Sequence, residues 1–244
     1  MIPFEDGTIA ARAADGSCTF LDGRSRLCSI HRDGGLQALP VTCRMFPRVV
    51  LHDARGTFLS LSHFCPTAAA LLFEAPGALE VVEAPAALAG IGELDGLDAR
   101  GAWPPLLRPA VLMDLDSYGV WERRAMDVLT RGECTPHDAV SALADVTSRI
   151  TAWTPGSSEL LAAVHAAFDA LGDGGAADAV RDRAAVKRWL AARLFGAWIA
   201  YQRDGLAATV AYLRWCLATF EREYDADGST LEAIRRSDLR IVHG

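Results

Sequence analysis

The chain has 244 residues, of which 51% are hydrophobic, and a formal net charge of -7. A chain of this length can bury a core without disulfides, and its excess of acid, which lies after residue 75, disfavours a nucleic-acid partner. Charged residues interrupt every long apolar run, so no segment reaches the roughly 18 to 20 residues of a membrane-spanning helix. The acidic N-terminal segment lacks the pattern of a secretory signal, and we expect a soluble, cytoplasmic protein with reduced thiols.

Residues 1–75 are predicted to form a small cysteine-rich domain. Short phrases punctuated by Gly and Asp, with little helical periodicity, indicate irregular structure with short strands. Four of the six cysteines of the chain lie here, at Cys18, Cys28, Cys43 and Cys65. This concentration of thiols suggests a metal-binding domain of mixed α+β structure.

A β-hairpin is predicted inside this domain. Two apolar runs, at about 48–52 and 57–62, flank a short polar connection that suits a turn. Cys43 precedes the first run and Cys65 follows the second. Because a hairpin returns the chain to its starting side, we expect it to bring these two cysteines together.

Cys65 is also predicted to cap a helix. Pro66 and the apolar run TAAALLFE follow it, which places the proline at the first helical position. A helix N-terminus favours a thiolate, the form that binds metals. His31 and His63 lie near these cysteines in the sequence and are expected to support the site rather than to bind the metal.

The remainder is predicted to be a linker, 76–103, and an all-helical domain, 104–244, so that the fold class is mainly α. Start signals include Thr135-Pro136, and Asp204-Gly205 separates the two longest helices. The glycines at 89–96 follow no apolar strand, so we interpret them as part of the linker rather than as a cofactor loop. Helices are predicted at 104–115, 117–131, 136–152, 157–171, 176–203, 206–224 and 228–237.

Spacing alone leaves the role of the cysteines open. No C-x2-C pair is present, and nine, fourteen and twenty-one residues separate the four thiols, which is not a zinc-finger pattern. Cysteine is often a buried residue without a function. Cys134 and Cys216, which lie in helical stretches, are predicted to be such thiols.

The phrases around the four cysteines are more specific. C-T-F-L, C-S-I-H, L-P-V-T-C-R-M-F-P-R and L-S-L-S-H-F-C-P occur in this order. They resemble the zinc- or iron-chelating cysteine-cluster family that includes the flagellin lysine N-methylases, and the resemblance covers about 16–73. Members of that family usually have further cysteines upstream, and none precedes Cys18 here. The chain is then either a short form or one that has lost part of the cluster.

The resemblance implies that Cys18, Cys28, Cys43 and Cys65 bind zinc or an iron-sulfur cluster. For the methylase branch it implies methyl transfer from S-adenosylmethionine to a lysine of a protein such as flagellin. Two alternatives stay open: a non-catalytic metal-binding module with a structural or redox-sensing role, and a helical interaction protein whose cysteines are inert. No catalytic residue is evident in the sequence.

Overall fold

The computed structural model describes residues 2–4, 7–9, 13–14, 18–25, 27–75, 77, 79–84, 96–172, 179–202 and 204–243. The chain forms two compact units, Met1–Phe46 and Pro47–Gly244. Most of the described residues are helical and the strands are few and short, which confirms the mainly α class with an α+β N-terminal part.

The first unit contains only short elements. Strands β1 and β2 pair antiparallel, a short helix α1 and a 3-10 turn follow, and helix α2 ends the unit. None of the side chains described between Ala13 and Phe46 is buried. This part of the chain therefore lacks a hydrophobic core of its own. The elements are β1 (Ile2–Phe4), β2 (Gly7–Ile9), α1 (Ser29–Gly34), the 3-10 turn (Leu36–Ala38) and α2 (Val41–Met45).

The second unit begins with the predicted hairpin. Strand β3, Arg48–Asp53, pairs antiparallel with β4, Gly56–Leu61, and the turn closes at the pair Asp53 and Gly56. Strand β5, Leu97–Asp98, pairs parallel with β3, so β3 is the central strand of the sheet. Helix α3, Pro66–Glu74, follows β4 and starts directly after Cys65, as predicted.

A second, shorter hairpin precedes the helices. Strand β6, Leu106–Arg108, pairs with β7, Val111–Leu112, so the predicted helix over 104–115 is wrong. Proline is the physical reason, because Pro109 cannot donate an amide within a helix. The turn also places Ala110 at a positive φ of 62°, a conformation outside any helix.

Six helices form most of the second unit. The predicted start at Pro136 is confirmed, and Thr135 caps that helix through a capping box. The predicted helix over 176–203 is shorter than expected, since it ends at Leu194 and a 3-10 turn follows at Trp198–Tyr201. The helices are α4 (Leu115–Thr130), α5 (Pro136–Thr151), α6 (Leu160–Asp169), α7 (Arg181–Leu194), α8 (Leu206–Asp227) and α9 (Thr230–His243).

The core of the second unit lies among these helices. Trp121, Leu143 and Trp189 are each fully buried. Trp189, Leu190 and Leu194 of α7 are all part of this core. None of the described helices is long and apolar enough to span a membrane.

The compact units divide between Phe46 and Pro47, whereas the sequence predicts a linker at 76–103. The β3–β4 hairpin belongs to the second unit because it forms ion pairs and apolar contacts with the helices, as described below. The glycine-containing segment at 89–96 lies outside the described residues except for Gly96.

Candidate thiol site and buried polar networks

Cys18 and Cys28 lie on the two sides of a tight loop in the first unit. The amide of Leu21 donates to the carbonyl of Cys18 at 3.0 Å, and Leu21 forms an antiparallel bridge with Cys28. The side chain of Asp22 closes the loop by accepting from the amide of Ser25 at 2.7 Å. Backbone hydrogen bonds therefore position both cysteine-bearing segments.

Cys43 lies on α2 and interacts electrostatically with the other two thiols. Partial burial raises its pKa, and the thiols of Cys18 and Cys28 raise it further. A neighbouring thiolate has this effect because like charges disfavour ionisation. Cys18 and Cys43 are exposed and Cys28 is half-buried. Three of the four predicted ligands are thus neighbours within one unit, and solvent can reach them.

The donor chemistry of this trio suits a soft metal, but its geometry does not form a binding group. Thiolates are the preferred ligands of zinc and of iron-sulfur clusters. Among the residues that the structure describes, no set of three His, Cys, Asp or Glu side chains is arranged to hold a metal ion. The thiols would have to move closer together to bind a common ion.

Cys65, the fourth predicted ligand, belongs to the second unit. It is the N-cap residue of α3, with extended backbone angles, and is half-buried. The preceding turn is anchored to α9 by Asp238, whose carboxylate accepts from the amide of His63 at 2.8 Å and from the hydroxyl of Ser62 at 3.0 Å. The position of Cys65 is therefore fixed by a side chain distant in the sequence.

Asp238 is fully buried and is the centre of a polar network. Its other oxygen accepts from the indole of Trp189 at 3.2 Å and lies 3.5 Å from the guanidinium of Arg193. Arg193 also donates to the hydroxyl of Tyr212. We term these residues, with the Ser62–Phe64 turn, the Asp238 network. It connects α7, α8 and α9 to the turn before α3.

His63 lies in the same region and is held in its neutral form. Its side chain is buried, and Nδ1 has no hydrogen-bond partner among the described residues. Burial lowers its pKa to about 4, although the nearby carboxylate of Asp238 acts in the opposite direction. His63 therefore contributes a neutral imidazole to the interior at neutral pH.

A second buried network joins the β3–β4 hairpin to the helices. Arg55, in the turn, donates to Asp53 at 2.8 Å and to Glu122 of α4 at 2.9 Å. The hydroxyl of Tyr201 donates to Asp53 at 2.9 Å, and the amide of Gly196 donates to Glu122 at 3.1 Å. We term these five residues the Arg55 network.

The two carboxylates of the Arg55 network respond differently to burial. Burial raises the pKa of Asp53, but the hydrogen bonds from Arg55 outweigh this effect and leave the pKa below its ordinary value. Burial also raises the pKa of Glu122, and Arg55 only partly offsets it. The carboxylate of Glu122 therefore retains part of the cost of its burial.

The other two cysteines lie in the second unit. Cys216 is fully buried on α8, and burial raises its pKa to about 11. Cys134 is half-buried beside the ammonium of Lys187, which donates to the carbonyls of Arg131 at 2.7 Å and Gly132 at 2.6 Å. The environment of Cys216 therefore does not favour a reactive thiolate.

Both networks were missed at the level of sequence. Glu122 and Asp238 lie within amphipathic helical stretches, where a carboxylate ordinarily faces solvent. A signal was present, since Asp238 lies four residues after the buried Ile234, at the spacing of one helix face, and Glu122 follows the core residue Trp121 directly. Such spacing does not identify the partner of a buried charge, because Arg55 and Glu122 are 67 residues apart.

Comparisons with protein-family models, with curated proteins and with solved structures found no match for this chain.

Proposed function

We propose that the chain is a metal-binding protein in which the thiols of Cys18, Cys28 and Cys43 bind zinc or an iron-sulfur cluster. The observation that carries this proposal is the position of three free thiols on short elements of one unit, in a stretch whose described side chains, between Ala13 and Phe46, are not buried. Metal binding would release the protons of these thiols, and the bound cation would compensate the charge of the resulting thiolates.

The absence of a buried side chain among the residues described between Ala13 and Phe46 supports the same proposal. Protein segments of about 40 residues that lack a core usually need a disulfide or a metal to remain folded. The cysteines are free thiols, so a metal is the stabilising element available to them. The bound ion would draw the three thiols together.

Cys65 is proposed as the fourth ligand on the basis of the sequence resemblance, since a structural zinc site takes four ligands. The proposal for the three thiols of the first unit does not depend on it.

The decisive experiment is elemental analysis of protein purified without oxygen, combined with a visible absorbance spectrum. Zinc is colourless, whereas an iron-sulfur cluster gives a brown protein and equal amounts of iron and acid-labile sulfide. We expect Cys18→Ser, Cys28→Ser and Cys43→Ser each to lose most of the bound metal. The matched control, Cys134→Ser, should keep it. Metal content that is the same in all four variants would overturn the proposal.

Lysine methylation is the second candidate, and the four cysteine phrases of the sequence favour it. In this reaction the methyl group leaves the sulfonium of S-adenosylmethionine and bonds to a neutral lysine amine, which then releases a proton. The assay is transfer of labelled methyl groups to purified flagellin. Transfer by the native chain but not by Cys43→Ser would support a metal-dependent methylase. Bound metal without transfer would support a structural or redox-sensing module.

A further inference from the structure

A cavity of about 280 Å³ lies in the second unit, between the β3–β4 hairpin and the segment that joins α7 to α8. Its volume is just below the roughly 300 to 1,000 Å³ that is usual for ligand sites. This size suits a compound with a single ring. The cavity is independent of the cysteines and of the proposed metal.

The walls of the cavity are aromatic and already fixed in position. The rings of Phe58 and Phe195 are in edge contact, with 5.6 Å between their centroids. Trp198 stacks on Tyr201 at 4.3 Å, and the hydroxyl of Tyr201 is held by Asp53. A flat, apolar ligand would therefore bind without reorganising these side chains.

Arg193 is the single residue with a formal charge among the described residues that line the cavity. Its guanidinium is held by the hydroxyl of Tyr212 and lies 3.5 Å from Asp238. That carboxylate does not line the cavity and also accepts from Trp189 and from the Ser62–Phe64 turn. The lining thus carries one charge, which Arg193 shares with Asp238 outside the cavity, and its other side chains are either polar, at Ser60, Gln202 and Tyr212, or apolar.

We propose that this cavity binds a small aromatic monocarboxylate. The ring would lie between the hairpin and Trp198, and the carboxylate would accept hydrogen bonds from Arg193. A charge-assisted pair of this kind is stronger and more directional than a neutral hydrogen bond.

Isothermal titration calorimetry of the full chain with phenylacetate and phenylacetamide tests the proposal, because the two compounds share a ring and differ in charge. We expect phenylacetate to bind at least about tenfold more tightly. Equal affinity for the two compounds would overturn the role of Arg193. If neither compound binds, the proposal that this cavity is a ligand site is wrong.

A cavity-filling variant tests the location. Val49 lies at the rim of the cavity and is 41% exposed, so Val49→Trp can fill the space without disturbing the core. We expect it to weaken phenylacetate binding at least about tenfold. Val180→Trp is the matched control, since Val180 is 49% exposed and does not line the cavity. Equal binding by Val49→Trp and the control would contradict the location.

A second cavity-filling variant shows whether a loss of binding comes from the filled cavity or from a local disturbance at Val49. Ala197→Leu fills the same cavity from the opposite wall, and circular dichroism verifies that each variant is folded. Loss of binding in both folded filling variants supports the site, and normal binding in either of them counts against it.

Discussion

At the scale of single residues, His63 links stability to pH. Its folded pKa of about 4 is below the value of about 6.5 in an unfolded chain. Between these values the unfolded state binds a proton that the folded state does not bind, so stability rises with pH across this window and is lost as the pH falls through it. The full effect is about 3 kcal/mol.

Chemical denaturation at a series of pH values between 4 and 7 measures this dependence. We expect His63→Phe to remove most of it and to cost little stability at neutral pH, because the buried Nδ1 has no described partner to lose. His165→Phe is the control, since His165 is exposed on α6. The same pH dependence in both variants would show that another group is responsible.

The buried carboxylate of Asp238 accepts hydrogen bonds from four donors, which belong to Ser62, His63, Phe64 and Trp189. Asp238→Asn would leave the guanidinium of Arg193 without its buried carboxylate, and we expect a loss of about 3 to 5 kcal/mol in the free energy of unfolding. Urea denaturation provides the measurement. Asp225→Asn, at an exposed position of α8, should change the stability by less than about 0.5 kcal/mol. A small effect at both positions would contradict a structural role for the Asp238 network.

At the scale of elements, the β3–β4 hairpin is attached to the helices through Arg55. Its guanidinium lies over the rings of Phe58 at 4.4 Å and Tyr118 at 4.7 Å, in addition to its two ion pairs. A planar cation with several donors can serve both kinds of contact at once, which a lysine cannot do. Arg55 thus joins the turn to α4, in addition to the contacts of Asp53 with Tyr201 and of Phe58 with Phe195.

Replacement of Arg55 is expected to release the hairpin. Arg55→Leu leaves two buried carboxylates unpaired, and the expected loss is about 3 to 5 kcal/mol. Hydrogen exchange of the β3 and β4 amides should accelerate more than that of α5. Arg100→Leu, which removes an exposed ion pair, is the control and should cost less than about 1 kcal/mol. Unchanged exchange in Arg55→Leu would contradict this attachment.

At the C-terminal ends of three helices, backbone carbonyls accept hydrogen bonds from the side chain of a lysine or an arginine. Each of these side chains is buried or half-buried and belongs to another helix or strand. Lys187 of α7 donates to Arg131 and Gly132 beyond α4, and Arg188 donates to Leu72 in α3 at 2.8 Å. Arg108 of β6 donates to Thr151 at the end of α5 at 2.7 Å. A positive charge is favourable at a helix C-terminus, where carbonyls lack intrahelical partners.

Removal of one such cation should destabilise the whole unit. Lys187→Met leaves the carbonyls of Arg131 and Gly132 without this donor, and we expect a loss of about 1 to 3 kcal/mol. Thermal unfolding followed by circular dichroism measures it. Arg214→Met, at an exposed position of α8, is the matched control. Equal melting temperatures for the two variants would exclude a capping role for Lys187.

At the scale of the whole molecule, the two units differ in how they remain folded. The second unit has an extensive core around Trp121 and Trp189, whereas no side chain described between Ala13 and Phe46 is buried. If a metal stabilises the first unit, its removal should act mainly there, because the core of the second unit contains none of the three thiols of the first unit.

Hydrogen exchange with and without a strong metal chelator tests this expectation. We expect exchange to become faster in peptides covering 18–46 and to remain unchanged in peptides covering 115–171. The Cys43→Ser variant should resemble the chelated protein without any chelator. Slow exchange of 18–46 in both conditions would indicate that the first unit is stable without a metal.

Local patterns predicted those parts of the fold that depend on neighbouring residues. The hairpin, the start of α3 after Cys65 and the start of α5 at Pro136 each follow from turn, cap or proline signals within a few residues. The prediction of a helix over 104–115 was wrong because Pro109 interrupts the apolar segment and the chain forms a hairpin there. That Cys18, Cys28, Cys43 and Cys65 share one site stays a prediction.

The sequence by itself determined the helical character of the chain, the hairpin and the thiols that can serve as ligands, because periodicity, turn chemistry and side-chain type are local properties. Only the tertiary structure decided which charges are buried and what neutralises them. Asp238 meets the Ser62–Phe64 turn across more than 170 residues, and Arg55 meets Glu122 across 67. Such pairs form because a buried charge must find a partner wherever the packing of helices provides one.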